Sequence, residues 1–191
     1  VKFRDEEITM SVEDFALKGK HNLYNSMAAA SAAAAIGVRK ENIRESLVSI
    51  KSLEHRMQFV ATIGGVDFIN DSKATNINST WFALEGMEKP VVLILGGVDK
   101  GNDYRILEDL VRDKVHAIVC MGVSNEKIHN AFSGITDQIT DALSAEEAVK
   151  KAYGLAHKGD VVLLSPACAS FDLFKNYEDR GEQFMKAVKN L

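Results

Sequence analysis

The stretch PVVLILGGVDKG, residues 90–101, contains a short and wholly apolar run that stops at two glycines. A continuous run of this kind predicts a β-strand that is buried on both faces, as strands of a parallel sheet are. Similar runs recur at Val115–Met121 and Val161–Leu164. Helical patterns lie between and after these runs, near Tyr104–Arg112, Asn125–Phe132 and Ala145–His157, with a closing helix that ends near Leu191. This alternation of strands and helices predicts the fold class, a doubly wound, mainly parallel α/β sheet.

Upstream of this alternation, the stretch QFVATIGGVDFIND begins at Gln58 and places two apolar runs on either side of Gly64 and Gly65. A glycine pair between two such runs predicts a β-hairpin. We expect the sheet-forming domain to start just before this hairpin, so that the chain divides into residues 1–53 and 54–191.

Residues 1–53 have a different, mainly helical character. An alanine-rich segment that stops at Gly37 predicts a helix over Asn22–Ile36, because alanine is the strongest helix former and glycine commonly ends a helix. A second helix is predicted over Lys40–Lys51, and a strand or hairpin over Val1–Met10. The chain starts with valine rather than methionine, and these helices lack a sheet of their own. We therefore expect the sequence to be a fragment of a longer protein.

Composition narrows the function classes. The 191 residues are 46% hydrophobic and 26% charged, which is typical of a globular protein. The net charge is −4, and no cluster of basic and aromatic residues is present, so nucleic acid is not an expected partner. No apolar run reaches the ~20 residues that cross a bilayer, and the first residues do not resemble a signal peptide. We expect a cytoplasmic protein without a membrane partner, whose two cysteines, Cys120 and Cys168, are plain thiols.

Polar segments follow three of the predicted strands. They are Asn70–Asn76, Gly96–Gly101 and Ser165–Phe171. Because ligands of doubly wound sheets bind beyond the carboxyl ends of the strands, we expect the three segments to face one crevice. Lys73 and Lys100 supply two cations, and serine and threonine hydroxyls supply further donors. This pattern suits a ligand that carries one or two carboxylates or a phosphate.

Each segment also has a purely structural interpretation. Asp71 or Thr75 could cap the helix that follows, and Ser170 could cap the last helix. The glycines at 96 and 97 could merely turn the chain. A structural explanation is reasonable for any one of these segments. Three separate structural explanations are less economical than one ligand that all three segments bind.

Several well-known sites are missing from the sequence. The segment Gly96–Gly101 has the GxxxxG spacing but continues with Asn102 and Asp103, so it is not a Walker A motif. No GxGxxG or HExxH motif is present, and the five histidines show no metal-ligand spacing. We therefore assign no metal ligands and expect any triphosphate to be held elsewhere.

A family resemblance covers nearly the whole chain. The segments that carry it, in order, are GKHNLYN at Gly19–Asn25, Glu54-His55-Arg56, DSKATN at Asp71–Asn76, GGVDKG at Gly96–Gly101 and LSPACASFDLFKNYEDRG at Leu164–Gly181. Together they resemble the C-terminal part of the Mur ligase superfamily. The DSKATN segment resembles the corresponding segment of the family members that add D-glutamate. Members that add other amino acids carry a differently built segment at this place.

The resemblance implies a Rossmann-like amino-acid-binding domain at 54–191, preceded by the helical end of the central ATP-binding domain at 1–53. The whole enzyme would act in peptidoglycan precursor synthesis as a monomer with ATP and Mg²⁺. It would phosphorylate the carboxylate of UDP-N-acetylmuramoyl-L-alanine, and the amine of D-glutamate would attack the acyl phosphate. The chain alone would have no ATPase or ligase activity, because the missing part of the enzyme would hold most of the ATP and magnesium.

The resemblance also implies roles for single residues. D-glutamate would be bound by Lys73, Thr75, Lys100, Ser170, the backbone at Phe171, and Tyr177, which stands where phenylalanine is expected. ATP would be contacted by Asn22, Asn25, Arg56 and Asp71. His55 and Lys73 would take part in catalysis.

Blander roles stay open for several of these residues. Tyr177 could pack in a helix, and Arg56 could be a solvated surface charge. The two asparagines, Asn22 and Asn25, could be helix N-caps, and His55 could pack at a hinge. At the level of the protein, the alternatives are another amino-acid-adding ligase of the superfamily and a non-catalytic anion-binding module.

Overall fold

The computed structural model describes residues 2–3, 6–7, 9–17, 20–50, 53–136 and 138–191, and at 2–3, 6–7, 20 and 21 it describes the backbone alone. The chain forms two compact units, Val1–Leu53 and Glu54–Leu191, which we call the N-terminal and the C-terminal unit. Of the helices in these ranges, none has the length and apolar character that a bilayer crossing requires.

The N-terminal unit is built from two helices and a small hairpin. Its elements are β1 (Lys2–Phe3), β2 (Glu6–Glu7), a 3₁₀ turn (Val12–Asp14), α1 (Lys20–Ala35) and α2 (Lys40–Ser49). Both predicted helices are confirmed, with α1 starting two residues earlier than expected. Its small core forms around Ala30 and Ile43, and Gly37 has the positive φ of a glycine that ends a helix. Gly19, the first residue of the predicted GKHNLYN segment, lies outside the described residues.

The C-terminal unit alternates strands and helices. Its strands are β3 (Gln58–Ile63), β4 (Val66–Asn70), β5 (Val91–Leu95), β6 (Val115–Met121), β7 (Ile139–Ala142) and β8 (Val161–Leu164). Its helices are α3 (Ile77–Glu85), a 3₁₀ turn (Tyr104–Leu107) that leads into α4 (Glu108–Lys114), α5 (Glu126–Phe132), α6 (Ala145–Leu155) and α7 (Tyr177–Lys189).

The six strands form one sheet in the order β3-β4-β8-β5-β6-β7. β3 pairs antiparallel with β4, and all other pairs are parallel. The predicted fold class is therefore confirmed, as is the hairpin, whose turn residues Gly64 and Gly65 have φ values of +60° and +86°. One strand, β7, was not predicted, because its sequence, ITDA, is short and only its alanine is buried.

Each face of the sheet has its own core. α6 and α7 cover one face through residues such as Val149 and Phe184, whereas α3, α4 and α5 cover the other through Leu84, Val111 and Phe132. β5 and β8 are buried along their whole length, which explains their unbroken apolar sequences.

Candidate functional site

Three loops meet at the carboxyl end of the sheet. We call them the first loop (residues 70–76), the second loop (96–101) and the third loop (165–171). They follow β4, β5 and β8, which are neighbours and run parallel, so all three leave the sheet at the same end. The first and second loops lead to the face that α3 and α4 cover, whereas the third leads to the face that α7 covers. Doubly wound sheets open a ligand crevice where neighbouring connections diverge in this way.

The second and third loops are joined by a short antiparallel bridge between Val98 and Ala169. The amide of Val98 donates to the carbonyl of Ala169 at 2.8 Å, and the amide of Ala169 donates back at 3.3 Å. Gly97 permits this approach, since its φ is +129° and a Cβ atom there would lie 2.3 Å from the carbonyl oxygen of Ala169. A glycine is therefore required at this position.

Arg180, in α7, connects the first loop with the third. Its side chain is fully buried. It donates to the hydroxyl and the carbonyl of Ser72 at 3.0 and 2.8 Å, and to the carbonyl of Cys168 at 3.1 Å. Burial lowers the pKa of the guanidinium to about 10, so Arg180 still carries its charge at neutral pH. Charge-assisted hydrogen bonds to two loops fix the loops relative to each other.

Lys73 is directed by Tyr177, the first residue of α7. The ammonium of Lys73 donates to the hydroxyl of Tyr177 at 2.8 Å and lies 4.6 Å from the centre of its ring. The backbone of this turn is fixed as well, because the hydroxyl of Ser72 donates to the carbonyl of Tyr177 at 2.7 Å. A phenylalanine could offer the ring but not the hydroxyl acceptor. The tyrosine therefore orients the lysine, in addition to packing in the helix.

His55 is buried next to these residues. Its ring stands edge-on to that of Tyr177 with 6.2 Å between centroids, and its Nδ1 lies 3.0 Å from the amide nitrogen of Asn70. The amide oxygen of Asn70 accepts from the backbone amide of Ser72 in the first loop, so the amide nitrogen of Asn70 is the group that faces Nδ1. Gly181 leaves room for the ring, since a Cβ atom there would lie 2.2 Å from Nδ1.

Asp71 holds the first loop in place from its buried side. Its carboxylate is buried and accepts hydrogen bonds from the amide of Met57 at 3.1 Å and from the hydroxyl of Ser165 at 3.0 Å. Burial raises the pKa of this carboxyl to about 6, although the two hydrogen bonds and the nearby Arg56 act in the opposite direction. The predicted role of Asp71 as an acceptor for ribose hydroxyls stays a prediction.

We expect Asp71→Asn to stabilise the C-terminal unit increasingly as the pH rises. The carboxyl's pKa is 3.8 in its ordinary state and about 6 in the fold, so the folded state binds more protons between these values. Rising pH therefore lowers the free energy of unfolding of the wild type by an amount on the order of 3 kcal/mol, and asparagine removes this loss. Asparagine can also keep both contacts, because its oxygen can accept from Met57 and its nitrogen can donate to the Ser165 hydroxyl.

The measurement is urea unfolding of the Asp71→Asn variant and the wild type from about pH 4 to about pH 7. The exposed Asp109→Asn variant serves as the matched control and should track the wild type. A stability difference between Asp71→Asn and the wild type that stays constant over this range would contradict the buried, titrating carboxyl.

The other predicted D-glutamate ligands lie on the same loops. Lys100 and Phe171 are exposed, Thr75 is half-buried and Ser170 is buried. The carbonyl of Ser170 accepts from two amides of the turn that follows it. None of the side-chain contacts among the described residues joins Lys100 to Lys73 or to Ser170.

A cavity of about 390 Å³ opens beside the second loop, at the carboxyl ends of β5 and β6. Asp99 and Asp172 give it an acidic lining, and the ammonium of Lys127 lies 3.4 Å from a carboxylate oxygen of Asp99. Lys73 and Ser170 do not line this cavity. A single pocket shared by Lys73, Lys100 and Ser170 stays a prediction.

The helix caps exclude several of the structural interpretations. α3 is capped by Asn76, whose side chain accepts from the amide of Ser79, and not by Asp71 or Thr75. α7 is capped by Asn176, not by Ser170. Capping of these two helices therefore does not explain Asp71, Thr75 or Ser170.

The two asparagines that were predicted to contact adenine lie in the N-terminal unit. α1 starts at Lys20, so Asn22 and Asn25 lie inside this helix and are not its N-caps. Asn25 is exposed, and Asn22 is half-buried. Arg56, in the C-terminal unit, is half-buried rather than a fully solvated charge.

Comparison with known proteins adds independent findings. The family described as "Mur ligase, glutamate ligase domain" matches residues 55–168. A UDP-N-acetylmuramoylalanine--D-glutamate ligase of Porphyromonas gingivalis is 57% identical over 182 residues, which cover 95% of this chain and 40% of that protein. The chain thus spans about two fifths of the length of this relative.

Solved structures show the same fold. A pseudomurein peptide ligase type C from Methanothermus fervidus superposes with a TM-score of 0.68 at 20% identity, over 92% of this chain and 37% of that one. The MurF ligase from Thermotoga maritima, solved in complex with ADP, gives a TM-score of 0.60 at 16% identity, over 91% of this chain and 40% of that one.

Proposed function

Since the chain belongs to the Mur ligase family, we propose that it is the amino-acid-binding part of an ATP-dependent UDP-N-acetylmuramoylalanine--D-glutamate ligase of peptidoglycan precursor synthesis. In this proposal the C-terminal unit binds D-glutamate, and the N-terminal unit is the end of the ATP-binding domain of the longer enzyme. The observation that carries it is the meeting of three polar loops at one end of the sheet, in a chain with a close relative of that name.

The chemistry of D-glutamate fits the loops. The amino acid carries two carboxylates, and the first two loops carry Lys73 and Lys100, one cation for each. Lys73 is already oriented by Tyr177, so little side-chain entropy remains to be lost when it binds an anion. Ser170 and the backbone at Phe171 would supply uncharged donors that set the direction of the ligand.

The reaction needs activation followed by positioning. A carboxylate is a poor acyl donor, and ATP supplies the phosphoryl group that turns the carboxylate of UDP-N-acetylmuramoyl-L-alanine into an acyl phosphate. The neutral amine of D-glutamate then attacks the acyl carbon, and the bond between that carbon and the phosphate oxygen breaks. The amide forms as the nitrogen loses a proton, which the departing phosphate can accept. In our proposal the loops hold the amine close to the acyl carbon while water is excluded.

His55 and Lys73 are the residues of this chain that we place nearest the chemistry. The orientation of the His55 imidazole is fixed by Asn70, whose amide nitrogen lies 3.0 Å from Nδ1, and by the ring of Tyr177. Lys73 would place a positive charge beside a carboxylate and so leave the amine as the reactive end of the substrate.

The fit to ATP rests on the chemistry of the donors. The exposed amide of Asn25 and that of Asn22 can donate to and accept from a purine edge, and Arg56 offers a charge to a phosphate. Asp71 would accept from ribose hydroxyls. We assign none of the described side chains to magnesium, and propose a cytoplasmic, monomeric whole enzyme.

The test is Lys100→Ala in the full-length ligase, followed by phosphate release with UDP-N-acetylmuramoyl-L-alanine, ATP and D-glutamate. Loss of one charge-assisted hydrogen bond is expected to raise the KM for D-glutamate roughly 10- to 100-fold. The KM for ATP should change by less than about twofold, because Lys100 would not contact the nucleotide.

Lys150→Ala, which removes an exposed lysine from α6, is the matched control and should leave both constants unchanged. An equal rise in the KM values for ATP and D-glutamate would show that Lys100 does not belong to the amino-acid site. Phosphate release that depends on a different amino acid would point to another ligase of the family. A full-length protein that binds D-glutamate but releases no phosphate would be an anion-binding module.

A further inference from the structure

Two histidines and an aspartate meet at the amino end of the sheet, opposite the three loops. His116 is the second residue of β6, and His157 and Asp160 lie in the loop between α6 and β8. The Nε2 atom of His116 lies 2.9 Å, and the Nδ1 atom of His157 lies 3.5 Å, from Oδ2 of Asp160. The ligand atoms of the three side chains all lie within 4.8 Å of one another.

The backbone around this cluster is fixed. The amide of Asp160 donates to the carbonyl of His157 at 3.0 Å, and its own carbonyl accepts from the amide of Asp67 in β4 at 3.0 Å. Gly159 has a φ of +102°, which lets the loop turn between the two ligands. On the other side, the carbonyl of His116 accepts from the hydroxyl of Thr136 at 2.8 Å. The three side chains are thus held close together by the fold itself.

The distances within the cluster are close to those of ligand atoms around one metal ion. Bonds of about 2.0–2.2 Å in tetrahedral geometry separate neighbouring ligand atoms by about 3.3–3.6 Å. Of the observed separations, 3.5 Å lies inside this range and 2.9 Å slightly below it, and the two imidazole nitrogens lie within 4.8 Å of each other. An ion could therefore replace the proton between His116 and Asp160 without rearrangement of the backbone.

The three side chains differ in their exposure to solvent, and this difference suits a metal site. The side chain of Asp160 is 8% exposed, that of His116 31% and that of His157 78%. The carboxylate therefore supplies a negative charge from a position that is largely shielded from solvent. The more exposed imidazoles leave a path by which an ion can enter and an open coordination position for water.

We propose that His116, His157 and Asp160 bind a divalent, imidazole-preferring transition-metal ion such as Zn²⁺, with water in the fourth position. Two imidazoles and one carboxylate are a ligand set that Zn²⁺ accepts. The ion ties β6 to the start of β8, two strands that β5 separates in the sheet. Its effect is to stabilise this end of the sheet, because a ligand that binds the folded state alone raises the stability of that state.

A second group of possible ligands is much less suitable. Cys120, His129 and Asp141 also lie close together, but Cys120 is fully buried and burial raises the pKa of its thiol to about 12. The thiolate that a metal needs would therefore be costly to form.

The test titrates the purified chain with Zn²⁺ alone by calorimetry and with Co²⁺ as a spectroscopic reporter. We expect one ion per chain, visible Co²⁺ bands of a low-coordinate site, and a higher unfolding temperature with Zn²⁺. His116→Ala and His157→Ala should each weaken metal binding by at least roughly 10-fold. Even the loss of an outer-shell partner of a metal ligand costs about 10- to 100-fold in affinity, and these two residues would be ligands themselves.

His129→Ala is the matched control, since it removes a half-exposed histidine that also contacts an aspartate, and it should bind like the wild type. His157 is largely exposed, so its variant should remain folded even where His116→Ala does not. The proposal is overturned if the wild type binds no ion, if His157→Ala binds as tightly as the wild type, or if His129→Ala loses binding instead.

Discussion

Replacement of Arg180 by methionine is expected to lower the free energy of unfolding of the C-terminal unit by about 3 kcal/mol. Methionine fills much of the same space but leaves the carbonyls of Ser72 and Cys168 without a donor. Both of these residues are buried, so water cannot replace the lost bonds. Each unpaired buried carbonyl costs about 1–3 kcal/mol. The variant no longer has to bury a charged guanidinium, but this gain offsets only part of the cost of the two carbonyls.

Urea unfolding of the Arg180→Met variant measures the change directly. Arg112→Met, which removes an exposed arginine from α4, is the control and should change stability by less than about 0.5 kcal/mol. In the full-length ligase, Arg180→Met should also weaken the use of D-glutamate, because the first and third loops would no longer be fixed to each other. Stability equal to that of the wild type would show that the buried guanidinium does not hold the loops.

Replacement of Gly97 by alanine is expected to have a similar effect by another route. The residue has a φ of +129°, and the new Cβ atom would meet the carbonyl oxygen of Ala169 at 2.3 Å. A backbone atom cannot rotate away as a flexible side chain can, so the bridge between the second and third loops must open. We expect a loss of about 2–4 kcal/mol in the free energy of unfolding, from the strained φ and the lost bridge together.

Gly154→Ala is the matched control for Gly97→Ala. This glycine lies in α6 with open space around it, so alanine should raise stability by about 0.5–1 kcal/mol through helix propensity. Thermal unfolding of both variants gives the comparison, and hydrogen exchange at the amide of Val98 reports on the bridge itself. A Gly97→Ala variant with wild-type stability and a protected Val98 amide would contradict the close approach of the loops.

The fold could be predicted because its strongest signals are local. The runs that became β5 and β8 are apolar throughout, and that of β6 is interrupted only by His116, since both sides of the sheet are covered. The turn of the β3–β4 hairpin was visible as a glycine pair. β7 carried no such signal, because at the edge of the sheet only Ala142 of its four residues is buried.

The candidate site could be predicted only in part. The three loops were found because each follows a strand, and topology alone brings the ends of neighbouring strands together. The partners that hold the loops could not be found in this way. Arg180 lies 108 positions from Ser72, and an arginine in an amphipathic helix ordinarily indicates a solvated face. The cluster of His116 and Asp160, 44 positions apart, was equally invisible from spacing.

The most direct test of the proposed site is an NMR titration of the chain with D-glutamate, with L-glutamate as the stereochemical control. We expect the amide signals of the first, second and third loops to shift together, on one binding curve, and L-glutamate to shift them less. Shifts confined to a single loop, shifts at the amino end of the sheet around Asp160, or no shift in any of the three loops would show that these loops do not form one amino-acid site.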